Sequence, residues 1–182
     1  MKNEYNPQKI EKKWQQVWDK KKIYTAKDFD TRHKKFFGLI EFPFPSGEGL
    51  HVGHIRSYTA MDVISRKKRM EGHNVLFPIG WDAFGLPSEQ FAIKTGIHPS
   101  IITQKNTKNF ERQMRSIGFS FDWDRKVDTS SPQYYRWTQW IFKLLYQRGL
   151  AYRKTSTVNW DPIDKTVLAD EEVVAGRAER SG

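Results

Sequence analysis

The chain has 182 residues, 37% of them hydrophobic and 14% aromatic, which suffices for one good core and is too apolar for a disordered segment. There is no cysteine, so disulfides and thiolate metal sites are excluded, and Lys plus Arg outnumber Asp plus Glu 31 to 21, a net charge of +10. That excess suggests a polyanionic partner, nucleic acid before membrane, with a merely solvated basic surface as the alternative. No apolar run approaches the ~20 residues of a membrane span, and the polar N-terminus carries no secretory signal, so the cytoplasm is the expected location.

In chain order, Asn6-Pro7 reads as a helix N-cap with proline at N1. Ile10, Trp14, Val17 and Trp18 then form one helical stripe, expected to pack on the main body. Nucleic-acid stacking is the alternative use of the two tryptophans. Thr25 to Lys35 is a polar connector. Phe36 to Phe42 reads as a buried central strand, stopped near Phe42 because Pro43 and Pro45 cannot donate to a ladder. Ser46-Gly47-Glu48-Gly49 is a turn. A helix opens after His51, with Ile55, Tyr58, Met61, Val63 and Ile64 expected on its inner face, Arg66 to Arg69 cationic at its end, and Gly72 at C′. Asn74 to Ile79 is the next strand, its regular pairing ended by Pro78. A β-loop-α-β unit of this length implies parallel strands with a right-handed crossover.

This order places a helix N-terminus at the carboxyl end of a parallel strand, a ready phosphate site. His51 and His54, three residues apart at that entry, can face the same phosphates. A metal role for the pair lacks a third ligand at recognised spacing. The loop Gly80-Trp81-Asp82-Ala83-Phe84-Gly85-Leu86-Pro87 lies on the same rim and suits a small-ligand pocket. Asp82 there either takes an ammonium group or caps the helix beginning near Pro87.

Farther on, a helix from about Thr103 carries Phe110, Met114 and Ile117 and stops at Gly118. Phe119 to Arg125 is a mixed loop in which Asp122 and Asp124 serve capping or ion pairing rather than a cation. Ser131-Pro132 starts a further helix, with Tyr135, Thr138, Ile141, Phe142 and Leu145 inward and Gly149 ending it. Lys154 to Trp160 reads as a strand. Asp161-x-x-Asp164 and Ala178-x-x-Ser181 have the spacing of a four-cysteine zinc ribbon without its cysteines. No zinc is expected there, and the knuckle must be held by packing alone.

His51-Val52-Gly53-His54 resembles the His-x-Gly-His signature of class I aminoacyl-tRNA synthetases. Pro43-Phe44-Pro45-Ser46-Gly47-Glu48-Gly49-Leu50 before it and Gly80 to Pro87 after it resemble the leucyl-tRNA synthetases in particular. Phe84 stands where the valine and isoleucine enzymes usually carry His. Tyr5 to Trp18 and Lys154 to Pro162 agree with the leucine enzymes too. The resemblance implies an α/β fold, a Rossmann-like parallel sheet with helices on both faces. Its parts are an N-terminal helix and connector (1–35), the N-terminal half of the catalytic domain (36–157) and the beginning of a cysteine-free zinc-ribbon-like insertion (158–182). It implies ATP-dependent activation of leucine and transfer to tRNA(Leu), with Mg2+ accompanying ATP. His51 and His54 would be catalytic, favoured in protonated form by nearby phosphate. Pro43, His51, Gly53 and His54 would bind ATP, the adenine lying against the Gly53 backbone. Phe42, Phe44 and Asp82 would bind leucine. Glu41 and Phe44 depart from the commoner Met and Tyr. The Lys-Met-Ser-Lys-Ser signature is absent from the 182 residues, so the chain is expected to be an N-terminal piece of a longer, monomeric enzyme and to be inactive alone. The alternatives are another His-x-Gly-His synthetase of the valine, isoleucine or methionine type, a nucleotidyl transferase, or a non-catalytic RNA-binding half-domain.

Overall fold

The structure, a computed structural model, describes residues 5–45 and 49–182, and the Ser46-Gly47-Glu48 part of the turn lies outside the described residues. The chain divides into two compact units, Met1–Tyr135 and Arg136–Gly182.

In the first unit α1 spans Pro7–Lys21, with the Asn6 side chain accepting from Lys9 N at 3.1 Å and Lys22 closing it at φ +50°. Then come β1 (Lys35–Phe37), α2 (Val52–Met70), β2 (Asn74–Leu76), β3 (Gly80–Trp81), α3 (Leu86–Thr95), α4 (Pro99–Ile117) and β4 (Val127–Asp128). β1 pairs with β2 and β3 with β4, both in parallel. α4 therefore begins four residues before the expected Thr103, because His98 and Pro99 supply its cap and first turn.

The segment from Val75 to Ala83 organises this unit. Val75, Phe77, Ile79, Trp81 and Ala83 are all buried core residues, a period-2 alternation that puts one face of an extended chain against α2 and α4. Phe77 stacks 4.6 Å from Phe121, and Tyr58 of α2 meets Phe119 and Phe121 edge-on at 6.0 and 6.1 Å. Pro78 has no N–H, and the regular pairing of this segment breaks between β2 and β3 as expected.

Three expectations are corrected. The first strand is short and one-sided: pairing ends at Gly38, whose N–H reaches Leu76 O at 2.9 Å, and Phe37 and Leu39 are exposed. Among the described residues β1 pairs with β2 alone, so the run is not covered on both faces. The inner face of α2 is Tyr58, Asp62 and Ser65, while Val63 and Ile64 point to solvent. The reason is a polar network. Asp62 accepts from Ser120 N at 2.6 Å and from Arg66 Nε at 2.7 Å, and Arg69 donates to Ser120 Oγ and O. Trp14 is exposed, whereas Trp18 is half-buried against Tyr24 with Arg66 over its ring. Asp122 and Asp124 do serve ion pairing. Buried Asp122 accepts from Ala26 N and Arg125, and Asp124 pairs with Lys22.

α5 (Pro132–Gln147) has no buried residue, so Ile141, Phe142 and Leu145, expected inward, stand exposed along with Trp137 and Trp140. The second unit holds β5 (Asn159–Asp161) paired antiparallel with β6 (Thr166–Leu168), and β7 (Val173–Val174) paired antiparallel with β8 (Arg177–Ala178). Ala175 and Gly176, at φ +51° and +76°, make the tight turn between β7 and β8. The expected strand from Lys154 is confined to its last residues, since pairing starts only at Asn159. No described helix is long and apolar enough to cross a membrane.

Candidate active site

His51 is the N-cap of α2, extended at φ −105° and ψ 170°. Its Nδ1 accepts from Gly53 N at 3.1 Å, and His54 Nδ1 accepts from His51 N at 3.3 Å. The two imidazoles therefore satisfy amides that a helix start leaves open. Accepting at Nδ1 puts each ring's proton on Nε2, leaving two N–H donors free. The rings lie 3.8 Å apart at 31°. Burial, and then the neighbouring His51 charge, hold His54 below the ordinary histidine range. Without an anion His54 thus favours the neutral form, not the imidazolium that was expected. A Cβ on Gly53 would meet the His51 ring at 2.8 and 2.9 Å, so glycine here makes room for that ring.

Phe42, Phe44 and Asp82, from separate segments, line one cavity of about 770 Å3 with Leu39, Ile40, Glu41 and Thr129. Asp82 is half-buried, on the other side of the pleat from Trp81 and Ala83. Its N–H donates to Pro43 O at 3.1 Å, and Ala83 N donates to Thr129 Oγ1 at 2.9 Å, so the loop is tied to the strand ends on both sides. Pro43 is buried with its carbonyl already bonded to that amide. A Cβ on Gly80 would meet the Phe42 ring at 2.6 Å and Val127 O at 2.7 Å. Glycine is required there by space.

The imidazole pair does not line that cavity. Two buried aromatics join them. Tyr58 donates from its hydroxyl to Glu41 O at 3.0 Å, and its ring lies 5.6 Å from His54. Phe110 of α4 stands 6.3 Å from His54 and 6.4 Å from Trp81. Burial, then the Glu41 charge, push the Tyr58 hydroxyl upward, so it stays a neutral donor. Val52 is exposed, and Pro45, Gly49 and Leu50 flank the undescribed residues.

Two side chains around this site carry no sequence signal. Asn106 donates to Pro45 O at 2.7 Å and Gln113 accepts from Leu50 N at 2.8 Å. Both sit in α4, whose apolar stripe alone was legible.

In the second unit, two of the four ribbon positions bond directly: Ser181 donates from Oγ to Asp161 Oδ2 at 2.6 Å. Asp161 Oδ1 accepts from Ile163 N at 2.8 Å. The Ser181 hydroxyl, helped by the Ile163 and Asp164 amides, holds the Asp161 carboxyl below the usual range. Packing is therefore joined by a carboxylate-centred knot. Among the described residues no three His, Cys, Asp or Glu side chains cluster as metal ligands.

Residues 39–178 match the model of the family described as tRNA synthetases class I (M). The chain is 54% identical over 179 residues to a leucine--tRNA ligase of Alkaliphilus oremlandii (strain OhILAs), covering 98% of this chain and 22% of that protein. It superposes with a TM-score of 0.90, at 41% identity, on the agnB2 LeuRS of Agrobacterium radiobacter K84, whose crystal structure is a ternary complex with tRNA and LeuAMS; 98% of this chain and 23% of that one are covered. A Mycobacterium tuberculosis methionyl-tRNA synthetase in complex with methionyl-adenylate shares the fold, with a TM-score of 0.67 at 24% identity over 82% of this chain and 30% of that one. The chain thus spans under a quarter of the length of the two leucine-specific relatives.

Proposed function

The chain belongs to the class I tRNA synthetases, and from that premise we propose that the complete protein activates leucine with MgATP and passes it to tRNA(Leu). In this scheme residues 36–157 form half of a Rossmann-like sheet with helices on both faces, preceded by an N-terminal helix and connector and followed by a ribbon-like insertion. The complete protein acts as a cytoplasmic monomer. Activation is a displacement: the leucine carboxylate attacks the α-phosphorus of ATP, a P–O bond forms, and pyrophosphate leaves. Positioning and electrostatics supply most of the rate in such a step.

Asp82 receives the leucine ammonium, while Phe42 and Phe44 meet the branched side chain. The two free Nε2–H groups of His51 and His54 donate to phosphate oxygens as negative charge builds during attack. Bound phosphate also raises the pKa of His54 against the burial that depresses it, so the imidazole strengthens as a donor when its substrate arrives. Adenine lies on the Gly53 side of the helix start, with Pro43 beside it. The observation that carries this assignment is that Phe42, Phe44 and Asp82 share one cavity of about 770 Å3: a carboxylate beside apolar walls matches an amino acid with a branched apolar side chain.

The test is exchange of labelled pyrophosphate into ATP by the complete protein, run with a panel of amino acids. Leucine alone should drive exchange. Asp82→Ala removes a charge-assisted hydrogen bond worth ~1.5–3 kcal/mol, so half-saturating leucine should rise about 10- to 100-fold. Exchange driven equally by valine or methionine, or an unchanged leucine requirement in Asp82→Ala, would overturn the proposal.

A further inference from the structure

Helix α4 holds the chain immediately before and after the undescribed residues. Asn106 donates to Pro45 O at 2.7 Å, and Gln113 accepts from Leu50 N at 2.8 Å. Phe110 lies between them in sequence, its ring 6.3 Å from His54. Positions 106, 110 and 113 fall on one stripe of a helix. All three touch the segment that leads into α2: one its entry, one its exit, one an imidazole. Asn106 and Gln113 are half-buried, and neither is needed to build the apolar core.

Gly49 supplies an independent sign that this contact is tight. A Cβ there would meet the Gln113 amide group at 2.5, 2.7 and 3.0 Å. Gly49 does not have a positive φ, so its backbone tolerates alanine and the exclusion is one of space alone. Glycine at 49 and glutamine at 113 therefore fit as a pair: the missing side chain of one admits the carboxamide of the other, which then takes the next amide.

We propose that Asn106 and Gln113 are positioning residues that clamp Pro45 and Leu50 to α4 and so set where His51 and His54 present their Nε2–H groups. Leu50 precedes the N-cap, so its amide is the last point at which the approach of the chain to the helix can be adjusted. Loss of either bond frees the N-cap to shift without unseating α2, which is held farther along by Tyr58, Asp62 and Ser65. The inference rests on the imidazole pair meeting ATP phosphates.

Two measurements test it. In this chain, amide hydrogen exchange across 49–54 should accelerate at least tenfold in Gln113→Ala and in Gly49→Ala, with the core amides of α4 unchanged. Gln113→Glu, which keeps an acceptor for Leu50 N–H, should restore protection. Gly49→Ala placed on Gln113→Ala should add nothing, because the obstructing amide is gone. In the complete protein, Gln113→Ala should lower the maximal rate of leucine-dependent pyrophosphate exchange about 10- to 100-fold, as small misplacements do, while half-saturating leucine stays put. Unchanged exchange at 49–54, or independent, additive losses in the double variant, would overturn the clamp. Lost protection with an unaltered rate would overturn its role in positioning. If the wild-type protein shows no leucine-dependent exchange, the leucine assignment fails, while lost amide protection in Gln113→Ala still upholds the clamp.

Discussion

Replacing Asp62 tests how α2, and with it the imidazole pair at its N-terminus, is seated. The Asp62 carboxylate takes Ser120 N at 2.6 Å and Arg66 Nε at 2.7 Å. Ser120 is fully buried, so alanine at 62 leaves its amide without an acceptor, a loss of ~1–3 kcal/mol. Arg66 keeps Tyr24 Oη and Gly118 O but loses its counter-charge. Removing one partner of a buried pair costs ~3–5 kcal/mol, but the Arg66 side chain is 34% exposed, and water recovers part of that. Together about 3 kcal/mol is expected for Asp62→Ala, a large share of the ~5–15 kcal/mol that holds a domain folded. Asp62→Asn retains one acceptor for Ser120 and should lose about half as much. With a urea slope of ~1–3 kcal/mol per molar, the alanine variant's midpoint should fall by about 1–2 M, read by tryptophan fluorescence. A shift under ~0.5 M by the same slope, or equal shifts for Asn and Ala, would refute the claim that this carboxylate seats the helix.

Two further outcomes follow from the site. Gly80→Ala forces a Cβ to within 2.6 Å of the Phe42 ring and 2.7 Å of Val127 O. The carbonyl cannot withdraw without parting β3 from β4, so urea unfolding should show a loss of ~1–3 kcal/mol and calorimetry a weaker fit for leucine; wild-type stability would show that the contact is slack. For His54, the folded-state pKa lies below its reference of 6.5 through burial and the His51 charge. The folded state therefore binds fewer protons than the unfolded one, and this group's contribution to stability is present above pH 6.5 and fades as pH falls through the depressed pKa. The His54 ring resonance should titrate below 6.5 in the free chain and move up when pyrophosphate or ATP is added; a midpoint at or above 6.5 without anion would contradict the buried setting.

Much of the local structure was legible in residue order. Asn6-Pro7 starts α1, Gly72, Gly118 and Gly149 adopt the positive φ expected at helix ends, and His51 stands at the start of α2. Those features are set within a few residues, by steric limits on φ and by the amides a helix start leaves open. The gathering of Phe42, Phe44 and Asp82 was anticipated from a β-loop-α-β order, because parallel strands bring their carboxyl ends to one side.

Tertiary structure decided the rest. Hydropathy favoured Val63 and Ile64 for the inside of α2, yet Asp62 and Ser65 went in, because Ser120 and Arg66 complete the carboxylate's bonds there. Nothing near Asn106 or Gln113 marks them, since their partners Pro45 and Leu50 lie 61 and 63 residues away. The protonation of His54 likewise depends on what buries it. A residue's order in the chain governs its backbone; which polar group it meets, and in which charge state, is set by neighbours that only the folded chain brings within 3 Å.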